Sequence, residues 1–191
     1  MSELPMVLSL DRVNLTDDQF YRLCEANPTT PLERSASGAL VIMSPVGGES
    51  GEREADLITD LTLWNRQTKL GKVFSSWTMF KLPGGGDRSP DAAWVELSRW
   101  QALTPEERAG FPPICPDFVI ELRSKTNALP PLQDKMQEYL ASGLRLGWLI
   151  NPQAQTVEIY RPNLRMEKVP FPAQLLGEAV LPGFTLRWPL A

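Results

Sequence analysis

The chain has 191 residues, of which 42% are hydrophobic and 22% charged, with a formal net charge of −4 and no histidine. This length suits one domain with a continuous core, and the acidic balance argues against indiscriminate binding to nucleic-acid phosphates, though not against a local basic groove. Without histidine, Ser-His-Asp and Cys-His catalysis and the HExxH zinc motif are excluded, which leaves carboxylates, Lys, Arg, Tyr or a hard ion held by oxygen.

In chain order, Thr16-Asp17-Asp18-Gln19 fits a capping box, and Phe20, Leu23 and Cys24 form the apolar stripe of the helix behind it. Pro28 and Pro31 end that helix. Residues 32–35 and 39–43 predict a hairpin around Ala36-Ser37-Gly38, followed by a loop over 44–48. A helix is expected from about 51 to 67, closed by Gly71. On it, Glu54, Leu57, Ile58, Leu61 and Trp64 share one face, so a carboxylate stands at the mouth of an apolar stripe. Glu54 is either a first-turn acid favoured by the helix dipole or a site residue.

Residues 72–76 and 78–82 predict strands, and Gly84-Gly85-Gly86 a flexible turn, because no Gly-Lys-Ser/Thr ending or following helix makes it a phosphate loop. Strand 92–97 comes next, then a short helix opened by Thr104-Pro105-Glu106-Glu107, then an extended Pro112, Pro113 and Pro116 segment. In strand 117–123, Phe118, Ile120 and Leu122 share one face and Val119, Glu121 and Arg123 the other, with Asp117. A helix over about 132–142, ended by Gly143, carries Leu132, Lys135, Met136, Tyr139 and Leu140 inward and Asp134, Gln137 and Glu138 outward. Lys135 there is either snorkelling from the stripe edge or placed for a purpose. A hairpin over 146–160 turns at Asn151-Pro152, and the Pro-rich end has apolar runs at 179–181 and 184–186.

No repeat or linker divides the chain, so one mixed α/β (α+β) domain spanning 1–191 is expected. No stretch reaches the roughly 18 apolar residues of a membrane span, and the first residues lack a signal-peptide pattern, so a cytoplasmic location is expected. Cys24 and Cys115 lack metal-type spacing; two buried free thiols are expected, with a single disulfide as the alternative.

Four charges sit on or beside apolar faces: Glu54, Asp91 (just before Ala92-Ala93-Trp94-Val95, in phase with Ala93 and Val95), Glu121 and Lys135. A carboxylate on an apolar strand is costly unless paired or metal-bound. Convergence of the four would make an acidic pocket with one cation at its edge, suited to Mg²⁺ and phosphoryl chemistry. Asp117 is the rival partner of Glu121. Four residues of strand hold their Cα atoms about 13 Å apart, so Asp91 from a neighbouring strand is preferred and Asp117 is assigned to cap the turn after Pro116.

The strings SPDAAWV, CPDFVIELRS and KMQEYLASGLRLGWLINP, in this order and spacing, resemble the Uma-type restriction-endonuclease family of the PD-(D/E)XK nuclease superfamily, over roughly residues 15–188. The resemblance implies a restriction-endonuclease-like core, a mixed sheet flanked by helices, in which paired acids bind Mg²⁺ or Mn²⁺ and DNA phosphodiesters are hydrolysed. It implies Asp91 and Glu121 as the paired acids and Glu54 as the acid of the first core helix, so that Glu54, Asp91 and Glu121 hold the metal. Arg123 stands where the simple pattern has Lys; it keeps the charge but cannot serve as a base. Lys135 resembles a lysine relocated to the following helix and takes the catalytic role, with Arg123 on phosphate and Lys125 the weaker candidate.

Two other readings stand beside the endonuclease. One is an inactive nuclease fold serving as a binding or assembly module; the other is a carboxylate-metal hydrolase of small phosphorylated substrates. A DNA groove predicts that several of Arg53, Arg66, Lys69, Lys72, Lys81 and Arg88 line one surface, whereas scatter favours the module. Paired, exposed apolar surface in the C-terminal segments would favour a homodimer.

Overall fold

The computed structural model describes residues 6–10 and 12–189. In chain order the elements are β1 (Met6–Leu8), α1 (Asp17–Ala26), β2 (Leu32–Arg34), β3 (Leu40–Ile42), α2 (Gly48–Thr68), β4 (Gly71–Ser75), β5 (Phe80–Lys81), β6 (Asp87–Arg88) and β7 (Ala92–Glu96). They continue with α3 (Leu97–Ala102), α4 (Pro105–Ala109), β8 (Phe118–Leu122), α5 (Leu129–Ala141), β9 (Leu146–Asn151), β10 (Thr156–Tyr160), β11 (Glu167–Pro170), β12 (Ala173–Leu176) and β13 (Thr185–Trp188).

The central six-stranded sheet runs β11-β10-β9-β8-β7-β4. All its pairs are antiparallel except β8 and β9, which α5 joins as a parallel crossover. Strand alternation gives the sheet two different faces. Phe118, Ile120, Trp148 and Ile150 pack toward Leu57, Leu61 and Trp64 of α2 and toward Leu175, Leu186 and Trp188 of the β12–β13 ribbon. Ala93, Val95, Val119 and Leu149 pack toward Leu132, Met136 and Tyr139 of α5. The α5 crossover lies tight on the sheet because Gly147 has no side chain; a Cβ there would come within 2.4 Å of Met136 Cε. A second sheet, β1-β3-β2-β6-β5, contains the predicted hairpin, and β6 leads directly through Ser89 and Pro90 into the central sheet at β7.

Both capping boxes form, at Thr16–Gln19 and Thr104–Glu107. Helix α2 begins at Gly48 and ends on Lys69, which is left-handed at φ 58°, rather than at Gly71. Gly71 instead opens β4, where a Cβ would meet the Val95 carbonyl oxygen at 2.2 Å. Helix α5 starts earlier than its periodicity suggested, because Pro130 and Pro131 occupy first-turn positions that need no N–H partner. Leu97 begins α3 rather than ending β7. Cys24 and Cys115 are free thiols, Cys115 buried as expected and Cys24 only half-buried. Among the described residues, no helix is long and apolar enough to cross a membrane.

Candidate active site

The site lies where β7 and β8 run side by side beneath α5. Ala92 pairs with Ile120, so Asp91, one residue further out, comes alongside Glu121 on the α5 face. The Leu122 N–H donates to Asp91 Oδ2 at 2.6 Å and fixes the Asp91 carboxylate against β8. Glu121 is buried; Lys135 Nζ reaches its Oε1 at 2.9 Å and the Tyr139 hydroxyl donates to the same oxygen at 3.1 Å. Lys135 and Tyr139 stand four residues apart on α5, one turn on the same inward stripe.

Lys135 is as enclosed as the core around it. Its ammonium donates to Glu121 Oε1, to Glu33 Oε1 at 2.8 Å and to the Ser89 carbonyl at 2.9 Å, which engages all three of its N–H donors. Glu33 is buried on β2; it also accepts from the Ser89 N–H at 2.9 Å and from Arg88 Nη1 at 2.9 Å. Arg88 in turn donates through Nε to Glu138 at 2.6 Å. The second sheet thus presses a carboxylate and a guanidinium against α5 and locks Lys135 from the side opposite Glu121.

The electrostatics of this cluster are unequal. Burial, followed by the Glu121 charge, raises the Asp91 carboxyl well above the ordinary carboxylate range; Lys135 and the Leu122 N–H offset this in part, and Glu54 adds to it. Burial also raises Glu121, against the pull of Lys135 and with a further push from Glu33. Glu33 goes the other way. Burial would raise it, but the charges of Lys135 and Arg88 and the bonds from Lys135 and Ser89 hold it below the usual range. Burial disfavours the charged Lys135, yet Glu121 and Glu33 outweigh it and keep the ammonium protonated. Tyr139 is raised well above its ordinary value by burial and by Glu121 and Glu33, so its hydroxyl remains a donor. Four carboxylates (Glu33, Asp91, Glu121 and Glu138) face two cations.

Of the residues singled out in the sequence, Asp91, Glu121 and Lys135 converge. Glu54 is half-buried on α2 and lines a cavity together with Asp91 and Glu33. Among the described residues, however, no three His, Cys, Asp or Glu side chains are grouped to hold an ion, so Glu54 is not drawn into a three-carboxylate set with Asp91 and Glu121. Arg123 turns away: its Nε donates to the Asn127 carbonyl at 2.8 Å and its Nη1 to Asn151 Oδ1 at 3.3 Å. Lys125 is exposed and pairs with Glu49 at 3.1 Å. Asp117 does not cap a turn. It is fully buried, accepts the Glu96 N–H at 2.8 Å, and pairs with Arg99 at 2.8 Å and Arg145 at 3.4 Å. Glu138, expected to face water, is half-buried against Arg88.

Glu33 is the member of this cluster that sequence reasoning missed. Its strand is three residues long, too short for a periodicity to stand out. A signal was present: Glu33 lies opposite Val41 in the hairpin, a carboxylate across from a buried apolar residue, which is the same anomaly that marks Asp91 and Glu121.

The fold is that of a nuclease-like α/β protein. The Uma2 family model, described as "Putative restriction endonuclease", matches residues 17–189, and the chain belongs to this family. The structure is similar to that of a protein from Anabaena variabilis ATCC 29413, described as a putative nuclease belonging to DUF820, with TM-score 0.74, 23% identity, and coverage of 91% of this chain and 94% of that one. No curated protein matches the sequence.

Proposed function

We propose that this protein is a divalent-metal-dependent endonuclease that hydrolyses DNA phosphodiester bonds. The observation that carries the reading is the Asp91–Glu121 pair: two carboxylates on adjacent strands, both raised above their ordinary range, beside a single locked lysine. A pair of this kind suits Mg²⁺ or Mn²⁺, which bind through one or two carboxylates and keep most of their water. Both bonds to Glu121 fall on Oε1 and the bond to Asp91 falls on Oδ2, so each carboxylate keeps an oxygen for an ion. When bound, the ion would lower the pKa of water and polarise the phosphoryl oxygen.

The protein's own residues do the rest. Lys135 and Tyr139 fix the rotamer of Glu121, and the Leu122 N–H fixes Asp91. Lys135 remains charged and offsets negative charge developing at phosphorus, while Glu33 and Ser89 keep it from rotating away. Glu54 contributes further negative charge from the cavity wall. Arg53, Arg123 and Lys125 line an adjoining cleft of about 450 Å³ and would hold the flanking phosphates.

The six basic residues expected to share a groove do not assemble into one. Lys81 pairs with Asp17, Arg88 is buried at the centre of the network, and Lys69 caps α2 and lines a different hollow. This dispersal favours the second reading, a nuclease fold that binds without cutting. Incubation of supercoiled plasmid with Mg²⁺ or Mn²⁺ separates the two. The endonuclease nicks it, and Asp91→Ala or Glu121→Ala abolishes nicking; binding without nicking supports the module, and nicking that survives both substitutions removes the assignment.

A further inference from the structure

The cavity beside the carboxylate pair has a wall unlike the backbone-binding surface of a nuclease. It encloses about 410 Å³, a volume in the range of small-molecule sites, and no lysine or arginine lines it. Its charged members are carboxylates, Glu33, Glu54 and Asp91, which repel phosphate; the remainder is chiefly apolar, including Met43, Met79 and Phe111. Trp77 stands at the cavity in the turn between β4 and β5 and is 69% exposed as a residue, whereas Trp64, Trp94, Trp148 and Trp188 are all buried. An indole left in water beside a preformed apolar cavity is a surface for a flat ring to stack on. The cleft that does carry cations, with Arg53, Arg123 and Lys125, adjoins this cavity through Pro45, which lines both.

Building on the endonuclease reading, we propose that this cavity receives an unpaired nucleobase of the DNA strand being cut, stacked on Trp77, while the backbone passes to the basic cleft. Charge divides the two compartments. Apart from the scissile phosphate, which the ion at Asp91 would draw to the edge of the hollow, phosphates are repelled by its carboxylates and accepted by the cleft, whereas a base has an apolar face and N–H edges that carboxylates and hydroxyls can receive. A base inside an intact duplex cannot enter such a hollow, so the substrate is single-stranded DNA or a duplex with a base that has left the stack.

The test measures binding by fluorescence anisotropy of labelled oligodeoxynucleotides, in Ca²⁺ in place of Mg²⁺. The probes are a single strand, its perfect duplex, and a duplex with one unpaired nucleotide, the last also made abasic at that position. The expected result is that the single strand, the unpaired-nucleotide duplex or both bind at least about tenfold more tightly than the perfect duplex. Trp77→Ala should erase that preference, the abasic probe should lose any preference shown by the unpaired-nucleotide duplex, and Trp77→Phe should retain most of both. A preference for the single strand alone identifies a single-strand enzyme; equal preference for the unpaired duplex identifies a flipped base. Equal binding of all probes, or a preference that Trp77→Ala leaves intact, overturns the base pocket. Cleavage of the same probes with Mg²⁺ keeps the two readings apart. Trp77-dependent binding without cleavage retains the pocket and removes the nuclease, whereas cleavage of perfect duplex indifferent to Trp77→Ala does the reverse. Because Trp77 is on the surface, circular dichroism of the variants should match that of the parent.

Discussion

The two ends of β8 carry the same kind of residue on the same face and put it to opposite uses. At one end, Asp117 is buried, but its carboxylate is matched by a backbone N–H and two arginines, Arg99 and Arg145, whose side chains are 36% and 42% exposed. Charge there is balanced, and solvent reaches the cations, so the cluster fastens α3 to the sheet. At the other end, Glu121 shares its surroundings with Asp91 and Glu33, and the nearest cation is a lysine with no free donor. Charge there is short of cations, with Glu33, Glu121 and Lys135 buried and Asp91 partly buried at the cavity wall. Two carboxylates pushed above their ordinary range are what a fold keeps when something else is meant to neutralise them. A buried acid is therefore not diagnostic by itself; what distinguishes the end proposed to be catalytic is the unmet charge around it.

The sharpest way to break this contrast is to exchange the effects of its two ends. Asp91→Ala and Glu121→Ala should each lower plasmid nicking by at least about a hundredfold, the scale seen when one group that stabilises developing charge is removed. Asp117→Asn should leave the specific activity of the folded protein within about threefold, being separated from the site by the length of the strand. It should instead cost about 1–3 kcal/mol of stability in denaturant titration, since Arg99 and Arg145 lose an acceptor but can be rehydrated. If Asp117→Asn abolished nicking and Glu121→Ala did not, the ends would have been assigned the wrong way round.

Lys135 comes next. Lys135→Met leaves Glu33 and Glu121 buried beside each other without their common cation, and should cost about 3–5 kcal/mol in a urea melt. Lys125→Ala, which removes a solvent-exposed pair with Glu49, should leave the urea midpoint essentially unchanged. Cleavage should follow the same order, with Lys135→Ala weaker than Lys125→Ala. The reverse ranking would transfer the catalytic cation to the loop after β8.

A smaller effect reads the unmet charge directly. Asp91 titrates above its ordinary range in the folded chain, so the folded protein holds a proton there that the unfolded chain has released. That contribution is complete at acid pH and is lost as pH rises from the ordinary carboxylate range through the raised value. Without metal, the ionised form of Asp91 is therefore destabilising. Asp91→Asn, which keeps an oxygen for the Leu122 N–H, should raise the melting temperature in EDTA by about 2–4 °C, the shift that ~1 kcal/mol gives a chain of this size. Mg²⁺ should raise the melting temperature of the parent and not that of the variant. A variant that melts lower than the parent in EDTA would mean that the charge at Asp91 is already compensated.

How far the sequence led follows from where each residue's partners lie. Alternation within a strand depends on neighbours two residues away, so the faces of β8 and the phase of Asp91 with Ala93 and Val95 were readable. The stripe of α5 depends on neighbours three and four away, so the inward direction of Lys135 was readable as well. Its pairing with Glu121 was expected, but its Glu33 partner was not readable, because Glu33 lies on a three-residue strand 102 positions away and reaches α5 through the packing of one sheet against the other. Arg88 looked like a groove-lining cation for the same reason; its burial depends on Glu33 and Glu138 arriving together. Arg123 had the right parity but not the right surroundings. It lies one residue past the end of β8, where Asn127 and Asn151 claim its guanidinium.

Glu54 is the residue on which the contrast can be sharpened furthest. It shares the cavity wall with Asp91 and its charge adds to the pressure on that carboxyl, yet it comes from α2, on the other side of the sheet from Lys135. If its part is to add negative charge near the ion, Glu54→Gln should lower nicking at saturating Mg²⁺ by only a few fold and should shift the Mg²⁺ titration to higher concentration. Stability should be unchanged, because no buried partner is left behind. A loss as deep as that of Asp91→Ala would make Glu54 a direct ligand and would require α2 to move toward β8 when the ion binds. A loss confined to low Mg²⁺ instead leaves two carboxylates as the direct ligands and makes the helix acid a contributor to affinity.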